Sequence, residues 1–536
     1  MKTFACTLAV LLCCVFPLRA DDEGHHHEDL TEQQLGSVHF PVSCAAGVQK
    51  PFERGVALLH SFWYEEAEKE FTEIARDDPK CAMAQWGMAM SQWHQLWNHP
   101  DAATTRKGQA EIKKAGSLHA PTARERNYIA AMKAFYGGKG DFNARASAYS
   151  KAMEKVYQRN PEDHEAAVFY ALSILAADEG NDPTFANDKK AAAILEKLFA
   201  TEPDHPGVAH YLIHAYDKPQ LAQLGLPAAQ RYAQIAPAAP HALHMPSHIF
   251  ARVGLWQDDI NSNLASVAAT RKTAAMHMGG EGHQFHAMDF LFYAYLQSGR
   301  DADARALIEE VRAMPDTIHN MYGMDYNPRA ATLVHFTALY PIEMHHWSDA
   351  AALTPTAAAG TAEDSVVYWA GAIGAGHLGN AEQVRKDAEQ IDAIHTKLVA
   401  EKKKDFADEV DKDHQQALAW MQVAEGKYDQ ALAILMPLAD KEDSLGDEPQ
   451  GVPTREMVAE VLMMARRPEQ ALAEYETDLK LNPNRFNGLY GAAQAAEAAG
   501  KQQKAAQYYA ELVKVCAGSN SDRPELSRAK GLVAQK

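Results

Sequence analysis

Two segments near the C-terminus carry the same residue pattern 34 positions apart, and this repeat constrains the fold more than any other feature. The segments 467–475 and 501–509 match at an alanine and at a tyrosine: Ala471 with Ala505, and Tyr475 with Tyr509. A small alanine lets two helices approach closely, and an aromatic ring fills the space beside it. A unit of this length is one helix pair that buries its apolar face against neighbouring pairs.

The same pattern recurs upstream with less regularity, at 425–432, 298–304 and 62–67. Strand signals are nearly absent, because alternation of apolar and polar residues is scarce and Ala-rich helical spacing dominates. The sequence therefore predicts an all-α fold, a tetratricopeptide-like superhelix of stacked antiparallel helix pairs. A further copy begins at Trp256, but Asp259 stands where alanine is usual. We expect a polar partner near that carboxyl.

Charge and hydropathy narrow the possible partners. The chain has 536 residues and a formal net charge of −19. Because phosphate binding needs clustered Lys and Arg, we expect no nucleic-acid partner. An acidic surface is compatible with cationic ligands, metal ions included. The apolar run 4–16 is too short to cross a bilayer and no later run reaches that length, so we predict no membrane span.

The N-terminus has the pattern of a secretory signal peptide. Lys2 supplies a positive charge, the apolar run follows, and Ala20 precedes the acidic Asp21; we expect cleavage after Ala20 and a periplasmic or secreted mature protein. The predicted segments are a signal peptide (1–20), a flexible acidic and His-rich N-terminus (21–40), N-terminal repeats (41–200), central His-rich repeats (201–355), C-terminal repeats (356–516) and a tail (517–536).

Three cysteines remain once the signal peptide is removed: Cys44, Cys81 and Cys516. An oxidising compartment permits disulfides. Cys44 and Cys81 lie in neighbouring N-terminal elements, which favours them as a disulfide pair and leaves Cys516 as a thiol. Spacing alone does not prove this connectivity.

Three longer blocks carry a resemblance to a known group of proteins: 82–89, 210–217 and 241–250. Together they resemble a family of exported bacterial tetratricopeptide-repeat proteins, with similar blocks across most of the mature chain. That family has no established biochemical activity. The resemblance therefore implies the fold and export, and it implies no reaction.

Three successive repeats place histidines in the predicted first helix of each pair. In the first of these, His210, His214 and Asp217 fall on one helical face, because their spacing follows the helical period. The next two repeats contribute His241, His244 and His248, and then His283, His286 and Asp289. Pro246 favours a helix start. We therefore expect a turn carrying His241 and His244 to lead into a helix with His248 in its first turn.

First helices line the concave face of such a superhelix and stack side by side, so we predict that His214, His248 and His286 converge. The predicted metal site comprises His210, His214, Asp217, His244, His248, His283, His286 and Asp289. Neutral imidazoles bind zinc and copper well, and carboxylates complete or orient such a ligand set. The expected cofactor is therefore a transition metal, copper or zinc.

Two further features concern the choice and number of metal ions. Thioethers suit Cu(I), and three methionines near the histidines favour copper slightly: Met245, Met276 and Met278. The mature N-terminus adds His25–His27 among acidic residues, a pattern typical of a flexible metal-binding tail.

The sequence leaves three functions open. The first is a binding scaffold, with a peptide or protein in the concave groove and a metal held by the histidines. The second is a metal-dependent enzyme in which Asp217 or Asp289 acts as fourth ligand or base. The third is a plain interaction scaffold whose histidines only pack and hydrogen-bond, as most half-buried histidines do.

Overall fold

The computed structural model describes residues 30–96, 99–180, 182–278, 282–316, 320–321, 324–325, 327–356, 362–446 and 450–534. The predicted signal peptide and the His25–His27 tail lie outside these residues.

The described residues fold into helices that pack in successive antiparallel pairs, which confirms the predicted all-α, tetratricopeptide-like superhelix. The first helices of the pairs are α2 (Gln49–His60), α4 (Ala82–Ser91), α6 (Ala123–Tyr136), α8 (His164–Ala176), α10 (Pro206–Tyr216), α12 (Pro240–His244) with α13 (Pro246–Arg252), α15 (His283–Gln297), α17 (Pro328–Glu343), α19 (Glu363–His377), α21 (Lys404–Ala424), α23 (Thr454–Met464) and α25 (Phe486–Ala498). The second helices are α3 (Tyr64–Asp77), α5 (Ala102–Ser117), α7 (Phe142–Arg159), α9 (Ala186–Phe199), α11 (Ala222–Ile235), α14 (Trp256–Ala275), α16 (Asp301–Ala313), α18 (Trp347–Ala351), α20 (Ala381–Ala400), α22 (Tyr428–Leu445), α24 (Pro468–Leu481) and α26 (Gln502–Val515).

Short elements complete the chain. They are α1 (Glu32–Leu35), a 3₁₀ helix (Ala46–Val48), β1 (Asn320–Met321), β2 (Met324–Asp325) and α27 (Pro524–Ala534). The two strands pair antiparallel over two residues each. Within the described residues, no helix is both long and apolar enough to cross a membrane.

The ends of the described chain correct two predicted boundaries. Residues 30–40, placed in a flexible segment, pack against the first repeats: Leu35 and Phe40 are buried, and the Ser37 N–H donates to the Asp204 carbonyl at 2.9 Å. The predicted tail contains α27, which buries Leu526 against α26. In both places apolar side chains pack against helices that the local sequence does not identify.

The repeat pattern explains the close approach of the paired helices. Ala471 and Ala505 are both buried on second helices. The Tyr475 ring lies against Gly491 on the next first helix, where a Cβ would overlap the ring. Asp259, which replaces the usual alanine, has the expected polar partner, since Asn263 Nδ2 donates to its Oδ1 at 2.8 Å.

The superhelix closes on itself, so helices distant in sequence touch. Helix α2 contacts α10, and α15 contacts α25. The indole N–H of Trp63 donates to the Met278 carbonyl at 2.9 Å, and that of Trp256 donates to the Asn484 carbonyl at 2.8 Å. Every residue of α8 from Glu165 to Ala176 is also buried, so this stretch of a first helix presents no exposed surface to a ligand.

Buried ion pairs also connect residues that are distant in sequence near the contact between α15 and α25. Arg485 donates to Glu343 at 2.9 Å and to Glu456 at 3.0 Å. Arg523 donates to Asp301 at 2.8 Å. Each arginine is almost fully buried, and its carboxylate partners compensate the buried charge.

The three cysteines of the predicted mature chain lie within the described residues. The Sγ atoms of Cys44 and Cys81 are 2.03 Å apart, and their Cα atoms are 4.9 Å apart. Cys516 is a buried free thiol, and burial raises its pKa to about 12.

Candidate metal centre

Helices α10, α12–α13 and α15 lie side by side and carry seven histidines: His210, His214, His241, His244, His248, His283 and His286. Helix α10 begins at Pro206, with His205 as N-cap: His205 Nδ1 accepts the Val208 N–H at 3.3 Å. Proline is favourable at this first helical position, because its missing N–H needs no partner there. The start of α10 therefore fixes which face carries His210 and His214.

The structure corrects the predicted turn before Pro246. His241 and His244 lie in α12, and Met245 between α12 and α13 has helical torsions, φ −51° and ψ −34°. Pro246 starts α13 as predicted, and the chain keeps nearly one helical direction through it. His241, His244 and His248 therefore share a face at spacings of three and four residues.

His210, His214 and His241 form the first group, which we call centre A. The Nε2 atom of His210 lies 3.0 Å from His214 Nε2 and 3.1 Å from His241 Nε2. The three ring centroids are 4.8, 4.9 and 6.4 Å apart. The point equidistant from them lies about 3.2 Å from each centroid, which matches a metal–nitrogen bond plus half an imidazole ring.

His210 is oriented by the end of α2. Its Nδ1–H donates to the His60 carbonyl at 2.6 Å, one of the carbonyls that a helix C-terminus leaves without an internal partner. Because the proton is on Nδ1, the Nε2 lone pair of a neutral His210 points into centre A. An upstream backbone group thus sets the tautomer of this ring.

Phe62 forms an apolar wall of centre A. Its ring centroid lies 4.4 Å from that of His210 and 5.5 Å from that of His241. Its backbone has φ +52°, at a turn position that is glycine in other repeats, as at Gly254 and Gly299. This conformation is costly for a bulky residue. The ring contacts with the histidines are what phenylalanine adds at this position.

His244, His248 and His286 form the second group, centre B. The Nε2 atoms of His244 and His248 are 3.0 Å apart, and one nitrogen of each of the three rings lies within 4.8 Å of the others. The ring centroids are 4.9, 4.6 and 5.5 Å apart. The Phe290 ring borders this centre, with its centroid 4.5 Å from that of His248.

Both buried rings of centre B use Nδ1 for an outer hydrogen bond. His244 Nδ1 donates to Asn263 Oδ1 at 2.7 Å, and His248 Nδ1 donates to Asp217 Oδ2 at 2.7 Å. The amide of Asn263 is itself fixed, because its Nδ2 donates to the backbone carbonyl and the carboxyl of Asp259. Such outer-shell contacts are typical of metal-binding histidines, whose second nitrogen is held by a carboxylate or carbonyl.

Asp217 was predicted as a ligand, and the structure places it behind His248 instead. Its second oxygen accepts from Arg252 Nε at 2.9 Å. Burial alone would raise the pKa of Asp217, but Arg252 and His248 hold it well below its ordinary value. The ionised carboxylate keeps the proton of His248 on Nδ1.

Centre B contains an unsatisfied contact. With Nδ1–H fixed on both rings, neutral His244 and His248 point two Nε2 lone pairs at each other across 3.0 Å. Two acceptors at this distance repel unless a proton or a metal ion lies between them. Burial, and then the charges of neighbouring rings, lowers the pKa of His244 well below its ordinary value, so His244 does not itself carry that proton.

Centre A is less restrictive, because either His214 or His241 can adopt a tautomer that donates to the single Nε2 lone pair of His210. Burial is the largest cause of a lowered pKa in four histidines of this region besides His244. For His214 and His283 the pKa falls to about 3, and for His210 and His241 it lies well below its ordinary value. These imidazoles are neutral at pH 7, the form that binds metals.

Two other groups also bring three potential ligand atoms within 4.8 Å of one another. In these groups the atoms already have other bonding partners. His60 and His205 each donate from Nε2 to the buried carboxylate of Glu165, at 2.8 and 3.0 Å. In the group of Cys44, Asp78 and Cys81 the two sulfurs are at bonding distance. The Asp78 carboxylate accepts backbone N–H groups.

The predicted residues thus divide into three sets. The predicted meeting of His214, His248 and His286 at one point does not occur. His214 lies in centre A with His210, whereas His248 and His286 lie in centre B with His244. His283 and Asp289 belong to neither centre: the His283 ring lies 5.3 Å from that of His241, and Asp289 Oδ1 lies 3.9 Å from His335 Nδ1.

Sequence reasoning left His241 out of the predicted metal site. His241 lies three residues before His244 and seven before His248, a spacing that places all three on one helix face. This spacing was not used, because a turn was predicted there. Asn263 was also missed, although it lies four residues after the unusual Asp259, the spacing of neighbours on one helix face.

Comparison with protein-family models and with curated proteins found no match. Among solved structures, the human IFIT1 dimer with PPP-AAAA has 13% identity and a TM-score of 0.36, covering 86% of this chain and 95% of that chain. The human IFIT1 dimer with m7Gppp-AAAA has 12% identity and a TM-score of 0.34 over the same shares. The ligands belong to IFIT1, and a likeness this weak supports no statement about ligands of this chain.

Proposed function

We propose that this protein is an exported tetratricopeptide-like scaffold that binds transition-metal ions at centres A and B. The observation that carries the proposal is the contact between His244 and His248, whose Nε2 atoms are 3.0 Å apart while both Nδ1–H groups are used elsewhere. A metal ion between them turns a repulsive contact into two bonds.

The all-nitrogen ligand sets favour copper or zinc. In centre A the His214 and His241 rings lie nearly opposite each other, because their 6.4 Å separation is about twice the 3.2 Å distance to the central point. His210 lies at roughly a right angle to both, an arrangement that suits tetragonal Cu(II). The more even separations in centre B suit zinc held by three histidines with one open position.

The enzyme alternative needs a free base beside the metal. Asp217 accepts from His248 and Arg252, and Asp289 lies beside His335. These contacts favour metal binding over metal-dependent hydrolysis. Export, an interaction with a peptide or protein and the lack of a nucleic-acid partner remain part of the proposal, on the sequence grounds given above.

The test measures metal in the mature chain from Asp21, produced without a His tag, dialysed, and analysed by inductively coupled plasma mass spectrometry. We expect near-stoichiometric copper or zinc in the unmodified protein. The variant His214→Ala/His248→Ala removes one ligand from each centre and should lose tightly bound metal. The exposed His346→Ala is the matched control and should keep it. A folded, unmodified protein that stays metal-free after incubation with Cu²⁺ and Zn²⁺ would refute the proposal.

A further inference from the structure

Centres A and B are neighbours. The His214 ring lies 6.4 Å from the His248 ring, and the His241 ring lies 6.2 Å from the His244 ring. If each ion lies close to its three ring nitrogens, the two ions are separated by roughly 6 Å. A small anion whose two donor atoms flank one central atom can span such a gap, with one end on each metal.

The ligands supply no negative charge. All six are imidazoles: His210, His214, His241, His244, His248 and His286. The carboxylate behind His248 is Asp217, and it is already paired with Arg252 at 2.9 Å. Two divalent ions would therefore bring four positive charges into a largely buried site. Charges this close and this poorly solvated repel strongly.

One side of the pair is less buried than the other. His214 and His286 are the partly exposed ligands, whereas His210, His241, His244 and His248 are buried. In centre A, the position opposite His210 is flanked by His214 and His241, the two rings nearest centre B. Phe62 and Phe290 border the two centres, which limits the room for a larger or strongly hydrated ligand.

We propose that centres A and B form a coupled pair whose double occupation by divalent ions requires a small anion bound between them. The anion is of the azide or bicarbonate class: compact, singly charged and able to ligate a metal at each end. This inference rests on the proposed metal-binding function. It adds that binding of the second ion depends on the anion and that the two ions communicate through it.

The experiment titrates Cu²⁺ into the mature protein by equilibrium dialysis, with and without azide, in a buffer of weakly coordinating anions. We expect one ion to bind tightly in either condition and azide to strengthen binding of the second at least tenfold. Electron paramagnetic resonance of the doubly loaded protein should show less than the signal of two isolated Cu²⁺ ions, because a bridge couples their spins.

Two single-centre variants provide the control. His214→Ala disrupts centre A and His286→Ala disrupts centre B, each through a partly exposed side chain that disturbs packing little. Each variant should bind one Cu²⁺ ion with full signal, and azide should not raise the stoichiometry. Circular dichroism verifies that both variants remain helical, and either one suffices for the comparison.

The outcomes separate the two proposals. No bound Cu²⁺ in the unmodified protein refutes metal binding itself. One ion with or without azide, or two ions with full signal and azide-independent affinity, leaves metal binding intact and overturns the coupled pair.

Discussion

Two groups of this protein each bring histidine rings together, and they differ in how the ring protons are used. In His60–Glu165–His205, each ring donates from Nε2 to the central carboxylate, and each Nδ1 contacts a donor, the Tyr211 hydroxyl or the Val208 N–H. In centre B the rings donate outwards, and their Nε2 lone pairs face each other.

The comparison teaches that proximity of histidines does not identify a metal site. A carboxylate between two N–H groups completes a hydrogen-bond network and needs no ion. Burial alone would raise the pKa of Glu165, but His205 and His60 lower it overall, so that group is stable as a carboxylate between two donors. Where the outer contacts take both N–H groups, the two inner lone pairs need a proton or a metal ion between them.

The largest expected effect tests the structural group. Glu165→Gln removes the charge and one of the two oxygens that accept from the buried rings, so the free energy of unfolding should fall by roughly 3–5 kcal/mol. Metal content should stay that of the unmodified protein. Urea unfolding followed by circular dichroism measures the change. The exposed Glu32→Gln, which loses a surface pair with Lys50, should cost less than about 1 kcal/mol. Loss of metal without loss of stability would reverse the two roles.

The cysteine group sharpens the same distinction. A Cys44–Cys81 disulfide closes a loop with a sequence separation of 37, so its reduction should lower the free energy of unfolding by roughly 3–4 kcal/mol. Metal content should not change. Mass spectrometry of a non-reduced digest should show the two peptides linked. Recovery of both residues as free thiols would contradict the pairing.

A smaller effect is expected from the outer contact of centre B. Asp217→Asn keeps the size of the side chain and removes the charge that holds the His248 proton on Nδ1, so metal affinity should fall by roughly 10- to 100-fold. Competition with a chromogenic chelator measures this affinity. Asp289→Asn is the matched control, because Asp289 lies outside both centres. An equal loss in the two variants would mean that general charge, and not orientation of His248, sets the affinity.

The smallest effect is expected at His283, which the sequence placed in the metal site and the structure places beside it. His283→Ala should change metal affinity by no more than about threefold, since second-neighbour effects of this kind are modest. The same chelator competition applies. A loss as large as that of His244→Ala would show that His283 is a ligand and that the division into two centres is wrong.

Local periodicity was enough to predict the helix pairs and the rows of histidines, because both depend on spacing within one helix. The division into two centres was not predictable, because it depends on how α10, α12–α13 and α15 are offset against one another. The expected turn before Pro246 hid His241. The partner of His60 was out of reach for another reason: Glu165 is 105 positions away, and only closure of the superhelix brings them together.

That closure has a mechanical consequence. An open array of helix pairs behaves as a spring, in which each pair moves against its neighbours and unfolding can start at either end. Here Trp63, Trp256 and Arg485 bond one turn to the next, so stretching the array must break buried contacts far apart in sequence. These contacts make the array stiffer than an open one, and it should unfold in large cooperative blocks. Stiffness of this kind holds His210 Nε2 of one repeat 3.1 Å from His241 Nε2 of the next.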